Sequence, residues 1–98
     1  MIVRIVKMTF QKEKIEQFKQ VFESSKDNIR NFPGVLYLEL LQDDQDPCIF
    51  CTYSHWESAN DLENYRHSEL FKSTWAKTKP LFKSKAIAWS SNRLHQLT

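Results

Sequence analysis

Apolar residues recur along this chain with two different periods, and the changes of period divide it into elements. Residues 2–9 (IVRIVKMT) are apolar and β-branched in loose alternation, which predicts a first strand. From Gln11 the period lengthens. Ile15, Phe18, Phe22, Ile29 and Phe32 fall at helical spacing, and Lys, Glu, Gln and Asp occupy the other positions. A surface helix laid on a sheet is expected over 11–32. Pro33-Gly34 stops it, because proline cannot continue a helix and glycine accepts positive φ. VLYLELLQ (35–42) returns to alternation and predicts a second strand. Leu36, Leu38 and Leu40 are expected on one face, with Val35, Tyr37, Glu39 and Leu41 on the other.

DDQDP (43–47) reads as a solvated hairpin loop, since the glycine and terminal glutamate of an EF-hand calcium loop are both missing. CIFCTYSHW (48–56) predicts a third strand, with Phe50, Thr52, Ser54 and Trp56 sharing one face. Ser58 is a good N-cap, with Asp61 where a capping-box acid sits. A helical pattern then runs to Phe82, with a break expected near His67-Ser68, where Ser68 caps a second segment. Leu70, Phe71, Thr74, Trp75, Thr78 and Leu81 form its inner stripe, and Pro80 should end or kink it. KAIAWSSNR (85–93) predicts a last strand, followed by a short tail.

The order β-α-β-β-α-β defines an α+β, ferredoxin-like domain over residues 1–98, an antiparallel four-stranded sheet with both helices on one face. Its strands carry apolar or aromatic residues on both faces, so the helices cover only half of what needs cover. A second copy of the chain is the simplest cover, and a homodimer is expected.

Composition narrows the chemistry. With one glycine, Gly34, in 98 residues, the chain cannot build a P-loop or a dinucleotide-binding turn. Fourteen basic against twelve acidic residues argue against a nucleic-acid surface. No apolar run approaches the roughly 20 residues of a membrane span, and MIVRIVKMTF lacks the features of a signal peptide. A cytoplasmic protein without membrane contact is expected. Cys48 and Cys51 are spaced as C-x-x-C but lie in a strand, where positions three apart point to opposite faces. They read as plain buried thiols. His55, His67 and His95 show no metal-ligand spacing, and no metal site is expected.

The fold should gather Thr52, Ser54, Trp56, Tyr65, Phe71 and Trp75 in one cleft with Phe50. Flat aromatic walls with a few hydroxyl and indole donors suit a planar apolar ligand.

IVRIVKMTF, the FPG turn, the DP-x-x-F-x-x-YS-x-W stretch and YRHSELF together resemble the antibiotic biosynthesis monooxygenase (ABM) family, from Ile2 to about Ser91. The resemblance implies a dimeric α+β barrel, in which two ferredoxin-like units pack sheet to sheet. It implies oxygenation of a small aromatic phenol, quinol or polyketide-like substrate by O₂, without metal or organic cofactor. A deprotonated, electron-rich phenol passes an electron to O₂, and the protein supplies orientation, desolvation and a proton acceptor. Trp56 matches the cleft tryptophan of the polyketide-oxidising branch, whose asparagine four positions earlier is Thr52 here. The histidine of the quinol-oxidising branch is replaced by Tyr65, with Ser68 and Phe71 retained. Trp56 would then orient the ring, and Tyr65 or His67 would handle the proton. Thr52 and Ser54 would hold a carbonyl or hydroxyl, with Phe50, Phe71 and Trp75 against the substrate. The heme-degrading branch needs a first-strand asparagine, a helix tryptophan and an axial histidine. Here residues 2–10 contain no asparagine, and Tyr65 and Trp75 occupy the other two positions. The alternative is a barrel of the same shape that binds a small ligand, or heme, without catalysis.

Overall fold

The computed structural model describes residues 1–98. Four strands, β1 (Ile2–Phe10), β2 (Val35–Gln42), β3 (Ile49–Trp56) and β4 (Phe82–Ser91), form one antiparallel sheet in the order β2-β3-β1-β4. Three helices complete the chain: α1 (Ile15–Arg30), α2 (Ala59–Arg66) and α3 (Glu69–Thr78). This is the expected α+β, ferredoxin-like arrangement.

Each helix boundary has a local cause. Gln11 leads into a 3₁₀ turn over Lys12–Lys14, so α1 proper starts at Ile15 and is shorter than its apolar period suggests. Phe32 lies beyond its end. Gly34 adopts φ +94°, and a side chain there would collide with Asp61. The glycine thus turns the chain and also lets the start of α2 approach the α1–β2 connection. The Ser58 hydroxyl accepts from the Asp61 amide at 3.1 Å and donates to the Asp61 carboxylate at 2.9 Å. The expected break falls at His67, and Ser68 caps α3 by accepting from the Phe71 amide at 3.1 Å. In the 43–47 turn, the Asp43 carboxylate accepts from the amides of Gln45 and Asp46.

Two strand details depart from the sequence reading. Val35 pairs with Trp56 but Tyr37 with His55, so β2 carries a bulge at Leu36. The extra residue moves Val35 to the helix-facing side with Leu38 and Leu40, and leaves Leu36 exposed beside Tyr37. β4 begins at Phe82, three residues before the expected start, because Pro80 sits in a 3₁₀ turn and Phe82 pairs at once with Phe10.

Register arranges the helix-facing side of the sheet in rows. Phe50 lies opposite Met8. The next row is Leu40, Thr52, Val6 and Ala88, and the one after it is Leu38, Ser54, Arg4 and Ser90. The last pairs Val35 and Ile2 with Trp56. Bulky side chains occupy both ends. Met8, Phe10, Phe18, Phe50 and Leu81 form one buried cluster, with Phe10 and Phe18 stacked at 4.0 Å. Val35, Trp56 and Leu62 form a second. The middle rows place the small side chains of Thr52, Ser54 and Ala88 between these two clusters. The opposite side of the sheet exposes Leu36, Tyr37, Leu41, Ile87 and Trp89.

Candidate functional site

Over the two middle rows the helices and the sheet enclose a cavity of about 360 Å³, lined mostly by apolar side chains. Small-molecule sites span roughly 300–1,000 Å³. Its floor is Val6, Thr52, Ser54, Ala86 and Ala88, and its far wall is Phe71, Thr74 and Trp75 of α3. Ala88 is exposed although it lines the cavity, so the cavity opens on the β4 side.

Six of the eight residues expected at the site line this cavity: Thr52, Ser54, Trp56, Tyr65, Phe71 and Trp75. An unbroken aromatic line runs along it. Trp56 packs on Tyr65 at 5.1 Å, Tyr65 on Phe71 at 5.3 Å, and Phe71 stacks on Trp75 at 5.7 Å with planes 12° apart. Trp75 in turn meets Phe82 edge-on at 5.5 Å.

The other two residues lie elsewhere. Phe50 is 2% exposed inside the phenylalanine cluster, where the rings of Phe10 and Phe18 pack edge-on against it at 5.7 and 5.2 Å. His67 sits at the end of α2 with its side chain 72% exposed, and its Nδ1 lies 2.9 Å from the Glu63 carbonyl. Its position between two helices turns it towards solvent. Cys48 and Cys51 are free thiols, half-buried rather than buried.

Hydrogen bonding sorts the polar groups. The Trp56 indole N–H donates to the Ser54 hydroxyl at 3.0 Å, and that hydroxyl lies 3.5 Å from the Arg4 carbonyl. Ser54 is therefore engaged in fixing the Trp56 ring, which is itself only 2% exposed. The hydroxyls of Thr52 and Tyr65 are not tied to any other group of the chain and remain available to a ligand. Burial pushes the Tyr65 phenol up to about 12. It stays protonated at neutral pH and acts as a donor. No carboxylate and no imidazole lines the cavity.

Both charged residues of the cavity lining escaped the sequence reading: Arg4 on β1 and Arg66 on α2. Arg4 donates to the Ser90 hydroxyl at 3.2 Å, and Arg66 lies 3.4 Å from Glu63. Burial, and next the nearby Arg66 charge, lower the Arg4 pKa. The signal for Arg4 was present, because Met8 and Phe10 fix the even-numbered positions of β1 as helix-facing. Across the chain, no three His, Cys, Asp or Glu side chains converge. No helix is long and apolar enough to cross a membrane.

On the outer side of the sheet, Tyr37, Tyr53 and His55 pack as a trio, with Tyr37 4.9 Å and Tyr53 5.0 Å from the His55 ring. Arg93 reaches back to His55 Nε2 at 3.1 Å. Desolvation, then the Arg93 charge, lowers the His55 pKa.

A cavity of this kind, roofed by α1, α2 and α3 over a four-stranded sheet, has the size and apolar lining of a small-molecule site. The family model for antibiotic biosynthesis monooxygenase matches residues 1–77, and the chain belongs to that family. Solved structures share the whole fold. A protein of Nitrosomonas europaea named "putative antibiotic biosynthesis monooxygenase" superposes with a TM-score of 0.90 at 19% identity, over 97% of this chain and 100% of its own. A conserved protein of Methanosarcina mazei Go1 gives 0.88 at 17% identity, over 94% and 92%. Rv0793 of Mycobacterium tuberculosis gives 0.89 at 12% identity, over 99% and 98%. At these identities the likeness is one of fold. No curated protein matches the sequence.

Proposed function

We propose that this chain is a cofactor-independent monooxygenase that oxidises a small electron-rich phenol or quinol with O₂. The observation that carries the reading is the cavity, aromatic-walled and lined by no carboxylate or imidazole, in a member of the ABM family. An ionised phenol transfers an electron to O₂, and the resulting radicals join through a new C–O bond to give a hydroperoxide. Loss of the ring proton and cleavage of the O–O bond then release water and leave a quinone. One oxygen atom enters the product and the other leaves as water, so the ring supplies all four electrons. Trp75 and Phe71 together form the wall the ring lies against, Trp56 closes the inner end, and Thr52 holds a substrate oxygen. The Tyr65 hydroxyl donates to the reduced oxygen species. Exclusion of water around the ring favours recombination over escape of superoxide.

The reading extends to a homodimer in which two sheets pack face to face as an α+β barrel. Leu36, Tyr37, Leu41, Ile87 and Trp89, all exposed on the outer side, support it. Light scattering on wild type and Trp89→Glu tests it: a dimer that becomes a monomer supports the pairing, and a monomeric wild type removes it.

The test of the activity is oxygen uptake with a panel of quinols and naphthols, with mass spectrometry of the product formed under labelled O₂. One labelled atom in the product supports a monooxygenase, whereas turnover indifferent to O₂ refutes it. The absence of any carboxylate or imidazole from the cavity favours one other reading, a binding protein without catalysis. Thermal stabilisation by ligand with no oxygen uptake would select that reading.

A further inference from the structure

The helix-facing positions of β1 read Ile2, Arg4, Val6, Met8 and Phe10, four apolar residues and one permanent charge. A guanidinium facing inward from a central strand is costly unless something is bound to it. Within the chain, little is. The four ion pairs are Lys19–Glu16, Lys26–Glu23, Arg66–Glu63 and His67–Glu63, and none involves Arg4. Arg4 makes one side-chain hydrogen bond, to the exposed Ser90, and the rest of its planar donor fork is free.

The second cavity-lining cation, Arg66, adds to the imbalance. Glu63 is the acid beside this pair, and it is divided between Arg66 at 3.4 Å and His67 at 3.5 Å. Two guanidiniums thus stand at one end of an apolar cavity, only Arg66 with a carboxylate partner, and Ala88 and Ser90 leave the approach open. Nothing in the cavity of opposite sign competes for them, since no carboxylate lines it.

We propose that Arg4 and Arg66 form an anion-binding end of this cavity, and that its ligand is a planar apolar molecule carrying one ionised oxygen group, carboxylate or phenolate, on its edge. The rings lie against Phe71 and Trp75, and the anionic oxygen meets the free donors of Arg4, with Arg66 reinforcing the field. Guanidinium is the cation best matched to such a planar group. The inference rests on the cavity being a ligand site, as the oxygenase reading also requires, and it answers a question that reading leaves open. With no base in the cavity, the substrate is selected and held as its anion rather than deprotonated by a side chain.

Calorimetry with 2-naphthoate and its neutral analogue 2-naphthamide tests the proposal, since both present the same rings. Wild type should bind naphthoate at least about tenfold more tightly, the equivalent of roughly 1.4 kcal/mol. Arg4→Gln should abolish the preference, and Arg4→Lys should restore part of it. Arg66→Gln, at the solvent-accessible end of the cavity and away from β1, should weaken naphthoate about threefold and leave naphthamide unchanged. 4-Nitrophenol, whose anion is yellow, should bind in its ionised form, with its pKa lowered relative to free solution. Equal affinity for the two naphthyl probes overturns the proposal, as does failure of both to bind, or a preference that survives both glutamine variants. Oxygen uptake is read separately. Selective naphthoate binding without uptake by any quinol removes the oxygenase and keeps the anion end. Quinol oxidation with equal affinity for the two probes does the reverse.

Discussion

The two halves of the layer between helices and sheet use the same register and reach opposite results. At one end, Met8, Phe10, Phe18, Phe50 and Leu81 meet in a core where Phe10 has no exposed surface. Two rows further along, Thr52, Ser54, Ala86 and Ala88 face α3 and leave a cavity of about 360 Å³. Side-chain volume makes the difference. Interiors pack to a nearly constant density, so a row of small residues beneath fixed helices becomes empty space rather than a closer approach. The filled half holds the helices in place, and the unfilled half is what they are held over.

The contrast breaks first under truncation. Phe10→Ala should cost about 3–5 kcal/mol in urea unfolding, whereas Phe71→Ala on the cavity wall should cost about 1–2 kcal/mol. Equal losses would show that the two halves carry equal weight. Next comes the turn that docks α2 on the rest of the chain. Gly34→Ala forces a side chain into positive φ and against Asp61, and should cost about 2–3 kcal/mol by the same assay.

Filling is the converse experiment. Ala86→Leu should change stability by less than about 1 kcal/mol, because it enters space instead of displacing neighbours. Calorimetry should nevertheless show that it abolishes binding of naphthyl probes. A large destabilisation would mean that the cavity is less open than its walls imply.

The last effect appears only at alkaline pH and comes from Tyr65. Its folded pKa is raised to about 12 from the ordinary 10, so the folded chain holds this proton more tightly than the unfolded one. The stability linked to that proton is fully present below about pH 10 and is lost as the pH rises towards about 12. Thermal melts should show Tyr65→Phe flattening that part of the profile while matching wild type at neutral pH.

Alternation and helical spacing carried the order of elements, both serine caps and the Pro80 stop, since each is a local property of the chain. They could not carry the bulge at Leu36. One inserted residue leaves the pattern of apolar letters unchanged while moving Val35 across the sheet. Register decided the site residues in the same way. Phe50 and Thr52 share a face, but only the packing of Phe10 and Phe18 on the Phe50 ring separates it from the cavity that Thr52 lines. His67 was legible as the end of a helix, and its outward direction became visible only with the geometry of the break. Arg4 and Arg66 are far apart in sequence, and a single charge in a strand reads as surface until the faces of that strand are assigned.

The break at His67–Ser68 has a consequence for how such a site diversifies. α2 and α3 are fastened by separate hydroxyls, Ser58 and Ser68, so neither helix depends on continuous hydrogen bonding through the other. Tyr65 and Arg66 hang from the first panel, Phe71 and Trp75 from the second. Substitutions can retune one panel while its neighbour keeps its footing, which lets a lineage change what it recognises in small, separately viable steps.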